Sequence, residues 1–323
     1  MAWDQSVSDW LLAGDISIVY QAKRDLLPAA EPELQQLQVR IPLEGWGQKL
    51  LDARRPDGHW GRCYYSPKWT STHYSLLDLR LLCPPRDNRP CRETLSMLLS
   101  ECIAKDGGVN YAKTVPDSDV CIAGMVLNMA CYFGMEQTLL TTLVDFLFRT
   151  SLPIGGWNCA HTKGHQHFSA HITISVLEGL LSYLQWGYTY RHADIGALVA
   201  AGEEQFLIHH LYQSHTSGEP MDVRMTKLSY PPRWHSDILR VLDYFRAAGR
   251  PYDPRMDDAL RILRTKRHRD GRWPLQANHP GQVHVAMEAP GKASRWNTLR
   301  ALRVLVHFKN RHLCFDNPEL ADQ

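Results

Sequence analysis

Four short segments of this chain repeat one pattern: Asp57-Gly-His-Trp60-Gly, Asp106-Gly-Gly-Val-Asn, Ile154-Gly-Gly-Trp157-Asn and Asp270-Gly-Arg-Trp273-Pro. The first three recur at roughly 50-residue intervals and the last lies about two intervals further on, a period of stacked helical repeats. The missing turn falls within 214–231, where a longer irregular loop is expected. Glycine supplies the positive-φ geometry that ends a helix. Tryptophan brings a large apolar area to bury between neighbouring repeats.

Helical periodicity surrounds each turn. Stretches 43–54, 93–104, 139–150, 194–210 and 254–266 read as the helix before a turn. Stretches 71–83, 118–132, 169–185, 233–246 and 294–308 read as the helix after it. A further helix at 15–26 completes a sixth inner position. Ser71, Ser118, Ser169 and Ser294 stand where an N-cap is wanted, with Pro232 in the fourth copy. Such units cannot bury their faces alone and must stack. The expectation is an all-α, (α/α)6 toroid forming one domain over 1–323. Its repeats are about 43–83, 93–132, 139–185, 194–246 and 254–308, after N-terminal helices within 7–26.

Composition narrows the function. A net charge of +2 over 323 residues gives no reason to invoke nucleic acid. No run of about 18 apolar residues suggests a membrane span, and MAWDQSVSDW does not read as a signal peptide. Eight cysteines without CxxC spacing read as reduced thiols, and the expected location is cytoplasmic.

The Gly-Gly-x-Trp turns, each followed by a helix of Ser-x-x-x-x-x-Leu type, resemble the repeats of squalene–hopene cyclases and protein prenyltransferase β subunits over about 45–308. The chain is similar to a single-domain, bacterial-type member. The resemblance implies a ring of inner helices around an aromatic-lined cavity that holds an isoprenoid chain. Aligning the caps places Thr72, Asp119, Ala170, Arg233 and Arg295 in one row. His73, Val120, His171, Trp234 and Trp296 form the next. Tyr74, Cys121, Ile172, His235 and Asn297 follow.

Asp117-Ser-Asp119-Val-Cys121 carries three readings. Prenyltransferase β subunits have an Asp-x-Cys at the start of an inner helix, and a later His completes a zinc site. The resemblance therefore implies Zn2+ at Asp119, Cys121 and His171, with His235 and His73 as other candidates for the imidazole. A thiolate, an imidazole and a carboxylate suit that metal. Lys113 stands near a basic diphosphate-binding position of the same family. Class II cyclases carry Asp-x-Asp-Asp, and Asp119 occupies the place of its proton-donating middle Asp, although Val120 replaces the last. The third reading is structural: Asp near a helix N-terminus is favoured by the dipole, and Cys on an inner helix is a small apolar residue.

Arg233 and Arg295 are expected to hold a diphosphate or carboxylate through forked hydrogen bonds, or else to pair with acids or stack on tryptophans. Trp234, Trp296, Tyr74 and Asn297 are candidate wall residues, as are Tyr64, Tyr65 and Trp69, and His235 is a candidate catalytic group beside Asp119. His165 and His167 read as solvent-facing in a loop, and His209 and His210 as surface residues. The leading expectation is an isoprenoid-handling enzyme, zinc-assisted or driven by protonation from Asp119. A non-catalytic toroid that binds a lipid or peptide is the competing class. Farnesyltransferase-type β subunits work with an α partner that this chain does not contain.

Overall fold

A computed structural model describes residues 3–112 and 114–309. Among them the fold is all-α, an α/α toroid, and extended pairing is limited to one two-residue ladder, β1 (Trp273–Pro274) with β2 (Ala293–Ser294), and isolated bridges. Six inner helices form the ring: α2 (Ile16–Asp25), α5 (Thr72–Leu82), α7 (Val120–Tyr132), α9 (Ala170–Gln185), α11 (Ile238–Ala247) and α13 (Arg295–His307). Outside them lie α1 (Gln5–Leu12), α4 (Gly45–Asp52), α6 (Arg89–Glu101), α8 (Thr141–Arg149), α10 (His192–Ile208) and α12 (Asp257–Thr265). The helix α3 (Glu31–Arg40) has no counterpart in the repeat reading. Each inner helix from α7 to α13 packs on its predecessor, and α13 packs on α2. The ring closes where Gln21 Nε2 donates to the Leu81 carbonyl at 2.8 Å.

The repeated turn has one hydrogen-bond scheme. The indoles of Trp60, Trp157 and Trp273 are fully buried. Each Nε1–H donates to the carbonyl ten residues back in the preceding outer helix: Leu50 at 2.6 Å, Leu147 at 2.8 Å and Leu263 at 2.7 Å. The backbone N–H of each donates to a threonine on the following inner helix, Thr72, Thr173 or Thr298. The tryptophan thus ties an outer helix to its inner partner, and no buried donor is left open. In the second repeat Val109 takes the position, also fully buried.

The closest approach in the ring is between α7 and α9, its most extensive helix pair. A Cβ on Gly124 would come within 2.7 Å of the Ser175 carbonyl, and one on Gly179 within 2.4 Å of the Gly124 carbonyl. Only hydrogen fits at either place.

Two register expectations are corrected. Among the four cap serines, only Ser294 accepts a cap hydrogen bond, from Asn297 N at 2.9 Å. Asp119, not Ser118, is the cap residue of α7, while Ser118 is turned back onto Asp106. The fifth inner helix, α11, begins at Ile238 under the carboxylate of Asp237, which stands five residues beyond Pro232. Arg233, Trp234 and His235 therefore lie in a lead-in turn and are not equivalent to Arg295, Trp296 and Asn297. A side-chain carboxylate that bonds a free helix amide outcompetes the start a proline offers.

Candidate functional site

The inner helices begin at one mouth of the ring and end at the other, and a cavity opens at each. The mouth cavity has about 490 Å³. Its walls come from the lead-ins of α5 and α11 and from the 277–282 loop, with Trp69, Trp234, His235 and His279 as its rings and Lys68, Arg224 and Lys227 as its cations. The loop is pinned where Trp69 Nε1 donates to the Pro280 carbonyl at 2.7 Å, with His284 against the Thr70 carbonyl at 2.9 Å.

An aromatic band follows this rim. It passes from Tyr64 through Tyr111 and Tyr65 to Tyr74, then to Trp69, His279, His235, Trp234 and His171, with neighbouring centroids 3.7–5.7 Å apart. His235 is stacked between Trp234 and His279, at 3.7 and 4.7 Å. Burial, then repulsion from His279 and His171, pushes its pKa down to about 3, so it is a neutral acceptor at pH 7. Arg224 is paired with Asp222 at 2.6 Å. Lys68 and Lys227 have no carboxylate partner among the described residues, and Lys68 lies 5.0 and 5.4 Å from the rings of Trp69 and Trp234. Two donors of this wall, Trp234 Nε1 and Ser236 Oγ, are buried without an acceptor.

The remaining expected site residues are dispersed. Asp119 is exposed at the start of α7, and desolvation by the surrounding protein raises its carboxyl pKa. Cys121 lies 3.8 Å from Cys159 Sγ, and the shared hydrogen bond together with burial holds it as a thiol. His171 is occupied elsewhere: its Nδ1 accepts from Ser236 N at 2.9 Å and its Nε2 faces Asp222 at 3.6 Å. Among the described residues no three His, Cys, Asp or Glu side chains are gathered to hold a metal. The expected zinc set is not gathered in this arrangement: Asp119 is exposed at the cap of α7, Cys121 faces Cys159, and His171 is bonded toward the lead-in of α11. Arg295 donates Nε to the Trp10 carbonyl and covers the Trp10 ring at 4.6 Å. Asn297 is buried and donates to the Pro274 carbonyl. Tyr74 is buried with its hydroxyl 2.9 Å from that of Tyr65. Lys113 lies outside the described residues. His165 and His167 are exposed as expected, but His209 is buried against Phe168 rather than on the surface.

No profile of a known family matches this chain, and no curated protein matches it. Solved structures similar to it include the glycosyl hydrolase family 88 protein from Bacteroides vulgatus. That likeness has a TM-score of 0.49 at 11% identity and covers 90% of this chain and 89% of the other. At that level nothing of the other protein's chemistry transfers to this one.

The base cavity, of about 550 Å³, lies among the C-terminal halves of the inner helices. An aromatic-lined barrel was expected there, and the charged lining is instead arginine-rich: Arg80, Arg240, Arg300 and Arg303 project from α5, α11 and α13. The segment 229–237 separates the two cavities. Ser229, Trp234 and His235 face the mouth, and Tyr230, Pro232 and Arg233 face the base. Trp296, expected beside Trp234, lines the base and stacks on Tyr230 at 4.6 Å. The sequence reading missed Lys68, Lys227, His279 and this arginine set. Arginines recurring within apolar inner helices were the available signal, since such residues are seldom buried without a reason.

Proposed function

We infer that the mouth cavity binds an amphipathic anion of the prenyl diphosphate class, as part of an isoprenoid-handling enzyme. The carrying observation is the juxtaposition of an aromatic wall with Lys68 and Lys227, neither of which has a carboxylate partner among the described residues. The N-terminal ends of α5 and α11 add partial positive charge on the same side. The volume is in the range of small-molecule sites. In this reading the lysines hold the phosphate groups and stabilise their departure. Trp69 and Trp234 face the developing carbocation, and neutral His235 accepts a proton. Arg233 and the segment around it support a short chain held at the mouth rather than a long one threaded through the barrel.

Isothermal titration with a ten-carbon prenyl diphosphate tests this. The corresponding alcohol should bind at least about 10-fold more weakly, because it lacks the charge-assisted contacts. Trp234→Ala and the Lys68→Gln/Lys227→Gln double variant should each lose a similar factor. Absence of saturable binding, or indifference to both variants, would overturn the reading.

A second reading has its own observation. The raised carboxyl pKa of Asp119 favours a proton donor, as in a cyclase that works without metal. Turnover of an uncharged polyprene that disappears in Asp119→Asn would support it over the first.

A further inference from the structure

The base cavity has more positive charge than the protein neutralises. Arg233 is matched by Asp78 and Arg240 by Glu178. That leaves Arg24, Arg80, Arg246, Arg300 and Arg303 against two carboxylates, Asp25 and Asp243. Asp243 is shared by three guanidinium groups, Arg246 at 2.8 Å, Arg300 at 3.5 Å and Arg303. Arg80 has no carboxylate partner among the described residues: its Nε donates to Asn128 Oδ1 at 3.1 Å, and its guanidinium lies 4.4 Å from the Tyr132 ring. Arginine cannot shed its proton to relieve this surplus.

The ends of the inner helices are partly negative here, which favours cations. Contact geometry shows that the arginines are not spent on them. The carbonyls of Leu81, Cys83 and Ala247 are capped by Gln21, Gln38 and Gln185. None of the five arginines donates to a last-turn carbonyl among the described residues. A second observation has the same sign. Three groups of the cavity wall, Tyr230 Oη, Trp296 Nε1 and Arg233 Nε, are buried without an acceptor. All three are donors, and burial keeps the Tyr230 hydroxyl protonated. Unpaired donors beside unpaired cations call for an acceptor-only guest.

We propose that the base cavity is a second binding site, for a compact oxyanion bearing two or more negative charges, of the diphosphate or phosphorylated small-molecule type. Guanidinium groups match the oxygens of such a ligand geometrically. The site is separated by the 229–237 segment from the mouth, so it stands whether or not the mouth takes a prenyl chain.

The test is isothermal titration of the full chain with inorganic diphosphate. Saturable binding is expected, weakened at least about 10-fold by Arg80→Gln, which strands no carboxylate. Tyr230→Phe should weaken it about 3-fold, and since the hydroxyl has no partner in the free protein, this variant keeps the test decisive if Arg80→Gln does not fold. Lys68→Gln/Lys227→Gln, which alters phosphate contacts at the mouth alone, should keep a saturable diphosphate site that Arg80→Gln still weakens. The proposal is overturned if diphosphate gives no saturable heat, if both base variants bind like wild type, or if only the mouth variant loses binding.

Discussion

Arg233 and Asp78 meet across 155 residues of sequence, with Nη1 of the arginine donating to both carboxylate oxygens at 2.8 Å. Both side chains are almost wholly buried, at 3% and 7% exposure, between the two cavities. Burial outweighs the arginine's pull and pushes the Asp78 pKa up to about 6. Trp69 and Tyr74 cover the guanidinium at 5.2 and 5.6 Å.

Removing one member of this pair strands the other in a low-dielectric interior. Arg233→Met alone should cost about 3–5 kcal/mol, and the double variant with Asp78→Leu markedly less. Urea unfolding of both measures the difference. Equal losses would show that the pair's partners are not confined to each other.

His73 should make the fold acid-sensitive. It is fully buried, its Nδ1 is 3.0 Å from the Tyr111 hydroxyl, and burial followed by the charge of Arg233 pushes its pKa down to about 3. Its unfolded-state pKa is about 6.5. The unfolded chain therefore binds the proton first, and stability present above about pH 6.5 is lost as pH falls toward about 3. Asp78 works the other way, since its pKa is raised: its contribution is full below about pH 4 and is lost as pH rises through about 6. Urea unfolding between pH 4 and 7 should show a shallower acid loss for His73→Asn than for the wild type. Parallel curves would mean that His73 is not held neutral.

The turn tryptophans should be strongly stabilising. Trp157→Ala should cost about 3–5 kcal/mol as a fully buried aromatic. Thr173→Val, which removes the hydroxyl that accepts from the Trp157 backbone N–H and donates to the Trp157 carbonyl, should cost about 1–2 kcal/mol. A loss below about 1 kcal/mol for Trp157→Ala in denaturant unfolding contradicts the tie between α8 and α9.

Two glycine-to-alanine changes should have opposite signs. Gly124→Ala forces α7 off α9 and should cost about 1–3 kcal/mol. Gly196, within α10, has nothing within 4 Å of a built Cβ, so alanine there should stabilise by up to about 1 kcal/mol. Thermal melting of the two variants reports both signs directly.

The amino-acid sequence alone determined the repeat. Glycine beside tryptophan at a fixed spacing, with helical periodicity on either side, allows few structures other than stacked helix pairs. Trp60, Trp157 and Trp273 are equivalent in the fold as in the chain. Local chemistry misled where two signals competed, as at Pro232, because the cap that wins is the carboxylate of Asp237 and its advantage depends on where the backbone amides lie. Asp119, Cys121 and His171 could be aligned by repeat, but only the ring shows His171 bonded toward Ser236 and Asp222. The pairing of Arg233 with Asp78, the division of the lumen and the gathering of arginines from α2, α5, α11 and α13 at one end are tertiary outcomes. They follow from helix rotation and from closure of the ring. A rotation of one residue, about 100° on an α-helix, sends a side chain into the lumen or away from it, and a linear pattern does not record that choice.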